Sequence, residues 1–161
     1  MINNKRLTFR QASVAGSFYP KDPTQLKKTL TSLFNANEDL NIDFQMPLKA
    51  IIVPHAGYIY SGSVAAKAYS LVSTCIKRIN KITIIGPSHF VPFNGIALST
   101  AEFFETPLGK IKVDHHAYEL INRIPEVIYL DEAHAREHSI EVHLPFIQYL
   151  KKDVRIIPLA V

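Results

Sequence analysis

The chain has 161 residues, enough for one domain with one core. Hydrophobic residues make up 47% and charged residues 20%, which excludes a disordered chain. The formal charge of +4 comes from scattered lysines and arginines, without the basic stripe interleaved with aromatics that nucleic-acid recognition uses. The expectation is no nucleic-acid partner. Cys75 is the single cysteine, so the chain cannot form an internal disulfide, and a lone thiol suits a reducing compartment. The first ten residues carry no apolar core of a signal peptide, and no apolar stretch is long enough to span a bilayer. The expected location is the cytoplasm, with no membrane partner.

Residues 1–20 read as an extended arm ending in Gly16-Ser17-Phe18-Tyr19-Pro20. Asp22-Pro23 then marks a helix start, with Asp as cap, Pro at the first helical position and Gln25 at the capping-box position. Leu26, Leu30, Leu33 and Phe34 follow at helical spacing, and residues 35–46 read as a loop. Residues 48–53 form a short apolar run that predicts a strand covered on both faces. It stops at Pro54-His55-Ala56-Gly57-Tyr58. A helix is expected from Ser61, with Val64, Ala68, Leu71, Val72 and Cys75 on its apolar face, which makes Cys75 a core thiol. Residues 79–85 predict a second strand, stopping at Gly86-Pro87-Ser88-His89. Strand, helix, strand is a βαβ unit with parallel pairing.

A hairpin is expected next, pairing residues 95–100 with 110–113 around the turn Thr106-Pro107-Leu108-Gly109. Asp114 caps a predicted helix carrying Ala117, Leu120, Ile121 and Ile124. Residues 127–130 predict a strand, and 139–151 contain a helix. Residues 154–161 predict a last apolar strand. Strands of this kind are covered on both faces in α/β proteins, so the polypeptide is expected to continue past Val161. The predicted fold class is α/β, a mostly parallel or mixed sheet flanked by helices.

Two predicted strands each run into a Pro and then a His, at Pro54-His55 and Pro87-Ser88-His89. Ligands of open α/β sheets sit outside the carboxyl ends of the strands, and one βαβ unit presents both ends at the same edge. Two imidazoles there suit one metal ion; the alternative is a pair of hydrogen-bonded loop residues. His138-Ser139-Ile140-Glu141-Val142-His143-Leu144-Pro145 adds two imidazoles and a carboxylate. The histidines are five apart, so this is not the zincin pattern, although His138 and Glu141 share a helix face. Because the Pro145 ring clashes with a carbonyl four residues back, either the helix begins near Glu141 or it is kinked. His138, Glu141 and His143 are candidates for ligation or for the pocket around the metal. The alternative is a helix start with Glu141 on the dipole and His143 packed or solvated. Tyr58 and Tyr60 border the His55 loop, and Ser88 precedes His89 without a nucleophile-elbow pattern. His115, His116 and His134 read as solvated.

Five segments together resemble the Memo-like family: 12–20, Val53-Pro54-His55-Ala56-Gly57-Tyr58, Ile85-Gly86-Pro87-Ser88-His89, Glu105-Thr106-Pro107-Leu108-Gly109 and 137–145. They stand in the family's order along almost the whole chain. The resemblance implies a fold related to class III extradiol dioxygenases and a pocket for iron or copper. Its metal ligands fall on His55 and His89. It also implies that residues 1–161 are the N-terminal part of one domain, whose third ligand belongs to a C-terminal part. Two functions follow from it: redox chemistry on a small molecule, and peptide binding or signalling through the same pocket. Metal-assisted hydrolysis by the same residues is a third reading, which needs a metal-bound water and no oxygen.

Overall fold

The computed structural model describes residues 8–37 and 48–161. Seven strands form one mixed sheet: β1 Phe9–Arg10, β2 Lys81–Gly86, β3 Ile96–Leu98, β4 Phe103–Thr106, β5 Gly109–Val113, β6 Val127–Tyr129 and β7 Arg155–Ala160. The helices are α1 Pro23–Asn35, α2 Tyr58–Ser73, α3 His115–Ile121, α4 Glu132–Ala135, α5 His138–Glu141 and α6 Leu144–Leu150. The architecture is α/β, a mixed sheet flanked by helices.

β7 is the centre. Its first five positions after Arg155 are all buried. On one edge it pairs in parallel with the whole of β2, from Lys81↔Arg155 to Gly86↔Ala160. Its other edge is shared, by β5 in parallel at its start and by β3 antiparallel at Ala160. β4 extends β5, β1 extends β4, and β6 extends β3. The turn at Thr106-Pro107-Leu108-Gly109 therefore joins β4 to β5, and not residues 95–100 to 110–113 as expected. Residues 96–98 instead pair with β6 and β7, where Ala97 and Leu98 are fully buried.

The predicted strand at 48–53 does not pair. Ile51 and Val53 pack at the margin of the core while Ile52 is wholly exposed. Apolar side chains make a segment fit for burial, but a ladder also needs a neighbour's N–H and C=O groups. No described segment supplies them there. The expected βαβ pairing is correspondingly absent among the described residues. β2 is likewise open on one face, with Ile85 66% exposed.

Asp22 accepts a hydrogen bond from the Gln25 N–H at the start of α1, and Leu26 and Leu30 are fully buried, as the spacing predicts. α2 starts three residues earlier than Ser61. Its buried face is Ser61, Gly62, Ala65, Ala66, Tyr69 and Val72, leaving Val64 exposed. Small residues there let α2 approach α1, where Gly62 faces Leu33. Cys75 lies half-buried just past α2, its thiol on the Val72 carbonyl. In α3 the buried residue is Tyr118, whose hydroxyl donates to the Pro158 carbonyl; Leu120 and Ile124 are exposed. Pro145 resolves the helix choice. The chain breaks at Val142 and His143, and Pro145 sits in the first turn of α6, where its missing N–H costs nothing. Among the described residues no helix is long and apolar enough to cross a membrane.

Candidate metal centre

Three loops converge at the carboxyl end of β2. The first leaves β2 itself. Gly86 lies against Ser139, so closely that a Cβ there would strike the Ser139 side chain. Ser139 Oγ donates to the Pro87 carbonyl (2.9 Å), and the Ser88 N–H donates to the Val161 carbonyl (2.8 Å). These bonds fix the chain on both sides and deliver His89. The second loop is Pro54-His55-Ala56-Gly57, which ends where Gly57 opens α2. The Tyr58 N–H donates to the Phe18 carbonyl (2.7 Å), tying this loop to the arm. The third is the start of α5, which begins on His138 with Glu137 as its cap.

His55, His89 and His138 meet there. Ring centroids are 5.3 Å apart for His55 and His89, 5.8 Å for His55 and His138, and 4.4 Å for His89 and His138. One ligand nitrogen from each lies within 4.8 Å of the other two, the one such cluster among the described residues. Nitrogens bound to a common ion at about 2.1 Å lie about 3 to 3.5 Å apart, so ring rotations of about an ångström would close the set. An open cleft of about 600 Å³ adjoins it, lined by Phe18, Pro54, Ala56 and Tyr60 beside His55 and His138.

At His138 the electrostatics favour neutral imidazole. Burial lowers the His138 pKa; Glu137 opposes this, and positive charge on His89 or His55 lowers it further. Glu137 is itself buried. Burial disfavours its charge, but N–H groups of His89 and Ser139 and the His89 ring outweigh that and hold it at about 2. Its Oε1 faces Nδ1 of His89 (2.9 Å) and stands farther, 3.5 Å, from Nδ1 of His138.

The remaining candidates lie elsewhere. Glu141 is fully buried and binds the arm: it pairs with Arg10 and accepts from Ser13 N–H (2.9 Å), Val14 N–H (3.1 Å) and Tyr19 Oη (2.5 Å). Tyr58 donates to the Val142 carbonyl (2.8 Å) and packs on Phe146. Ser88 Oγ donates to the Val91 carbonyl (2.8 Å). His143 is buried beside Tyr69 with no partner for Nδ1, and burial, then His55, press its pKa down to about 4. His134, expected in solvent, is 1% exposed, with Nε2 on the Ala97 carbonyl. His116 is exposed, while His115 is half-buried with Nε2 on the Ala101 carbonyl. Sequence reading passed over Glu137, Arg10 and Tyr19. Glu137 caps α5, but glutamate is not among the residues favoured at that position, so no local signal marks it. Arg10 and Tyr19 act across more than a hundred residues, and no local spacing marks that.

A profile described as Memo-like protein matches residues 10–161, nearly the whole chain and all three loops. The chain belongs to the Memo-like family. It is 41% identical over 157 residues to a MEMO1 family protein of Methanothermobacter thermautotrophicus, covering 94% of this chain and 56% of that one. It is 38% identical over 158 residues to a MEMO1 family protein of Aquifex aeolicus, with 94% and 54% covered. A MEMO1 family protein of Pyrococcus furiosus is 40% identical over 160 residues, with 94% and 52% covered. The chain thus spans about half the length of these Memo-like relatives.

Proposed function

We propose that the chain supplies the imidazole face of a redox-metal centre, with His55, His89 and His138 as donors and iron or copper as the ion. The observation that carries this reading is the convergence of three imidazole nitrogens from three separate loops. The donor chemistry fits, since neutral imidazole serves iron and copper as well as zinc and nickel. The family resemblance favours iron or copper from that set. His138 offers a third donor within the chain, beside the ligand that the resemblance assigns to a C-terminal part.

Bound there, such an ion would supply one-electron chemistry and open positions for a small molecule. The protein's own residues do the rest. Phe18, Pro54, Ala56 and Tyr60 give an apolar wall against which a substrate would lie, next to His55 and His138. Burial pushes the His138 pKa down, which favours the neutral form that can ligate.

Metal content decides this. After anaerobic loading with Fe²⁺, or loading with Cu²⁺, and desalting, the wild-type protein should retain about one ion per chain, while His55→Ala and His89→Ala should each bind at least about tenfold more weakly. Equal retention in all three would overturn the proposal. The same apolar cleft also favours a peptide-binding reading, in which an aromatic or proline side chain lies on Phe18 and Tyr60. Peptide binding that survives a chelator would support that second reading; binding lost with the metal would return the cleft to the redox centre.

A further inference from the structure

We propose that Glu137 is a positioning residue that locks His89 in the Nδ1–H tautomer, so that Nε2 alone is presented to whatever binds the cluster. The meaning given to Nε2 rests on the proposed metal centre; the tautomer itself does not.

Three contacts carry the argument. Glu137 Oε2 accepts the His89 backbone N–H at 2.6 Å, and Oε1 lies 2.9 Å from His89 Nδ1. Oε1 also accepts the Ser139 N–H at 2.8 Å. Both Glu137 oxygens already accept backbone N–H groups, so they meet the His89 ring as acceptors, and the ring nitrogen facing them must carry the proton. Neutral imidazole has one such proton, so Nε2 keeps its lone pair. Oε1 stands 3.5 Å from His138 Nδ1, too far for a good hydrogen bond, so the clamp acts on His89.

The clamp is itself held. Glu137 is 2% exposed, and its carbonyl accepts from Arg10 Nη2 at 2.6 Å. Arg10 Nε donates to the His134 carbonyl at 2.9 Å. The peptide on which Glu137 sits is therefore pinned by a buried guanidinium, and the His89 and Ser139 N–H groups hold its carboxylate against the His89 ring. Carboxylates in this relation to a ligating histidine orient the ring and raise its basicity, and their loss typically costs 10- to 100-fold in metal affinity.

Long-range ¹H–¹⁵N spectra of the histidine rings test this in metal-free protein at pH 8, with His89 assigned by its loss in His89→Gln. His134 and His115 serve as contrasts, because each places Nε2 on a carbonyl and must be Nε2–H. His89 should show the opposite, Nδ1–H, pattern. In Glu137→Gln, which keeps the side chain's shape, that pattern should give way to a mixture and Co²⁺ affinity should fall 10- to 100-fold; Glu137→Ala should do the same. A wild-type His89 that is Nε2–H or mixed overturns the inference, as does an unchanged tautomer and Co²⁺ affinity in both variants. Wild-type protein that shows Nδ1–H yet binds no Co²⁺ would retire the metal centre and leave the clamp standing.

Discussion

His143 shows what burial does to a single ionisable side chain. Its ring is enclosed, Nδ1 has no partner, and its pKa is pressed down to about 4. The unfolded chain binds this proton near the ordinary histidine value of about 6.5. Between the two values the unfolded state holds more protons than the folded one, so stability falls as pH is lowered from about 6.5 to about 4 and then levels off. The full effect is on the order of 3 kcal/mol. His134, also lowered by burial, adds in the same direction. Urea unfolding from pH 7.5 down to 4.5 should show this loss, and His143→Leu should flatten it; an equal slope in the variant would contradict the assignment to His143. Nothing in the local sequence separates His134 from His116 by composition. What separates them is a carbonyl of β3 within reach of one and water around the other, a fact of tertiary structure.

At the scale of elements, α5 is four residues long and makes no stable helix alone. Glu141 holds it to the arm through Arg10, two backbone N–H groups and the Tyr19 hydroxyl. Arg10→Met leaves a buried carboxylate without its cation and should cost about 3 to 5 kcal/mol in urea unfolding. Protease cleavage within the arm should rise with it. Replacing Glu141 by Leu in the same protein should not restore stability, since Ser13 and Val14 would then keep unpaired N–H groups. A double variant as stable as wild type would refute that account. Local chemistry made several elements legible: the Asp22-Pro23 start of α1, the Asp114 cap of α3 and the Thr106-Pro107-Leu108-Gly109 turn. It misplaced the hairpin because β4 is Phe-Phe-Glu-Thr, too short for alternation to announce. It also read 48–53 as paired, because periodicity reports burial and carries no information on the partner.

Across the whole molecule, β7 gathers the sheet and one face of β2 is left bare. Ile85 and Leu159 are direct neighbours in the β2–β7 ladder, yet Ile85 is two-thirds exposed while Leu159 is buried. Ile156→Ala, at a fully buried β7 position, should cost about 2 to 5 kcal/mol in urea unfolding. Ile85→Lys should stay within about 0.5 kcal/mol of wild type, as expected of an exposed side chain. Equal destabilisation by the two would mean that Ile85 is covered in solution. His55 and His89 were legible as a pair because each follows an apolar run and a proline, although only the run before His89 is a strand. The third imidazole was legible only as a candidate, since the helix break at His143 decides which way His138 points.

An anomalous difference map from a crystal soaked in Fe²⁺ or Cu²⁺, recorded at the metal's absorption edge, tests the central claim most directly. The account predicts one strong peak about 2.0 to 2.2 Å from Nε2 of His89 and within bonding distance of His55 and His138. A peak bound elsewhere, or no peak beside His55 and His89, would contradict it.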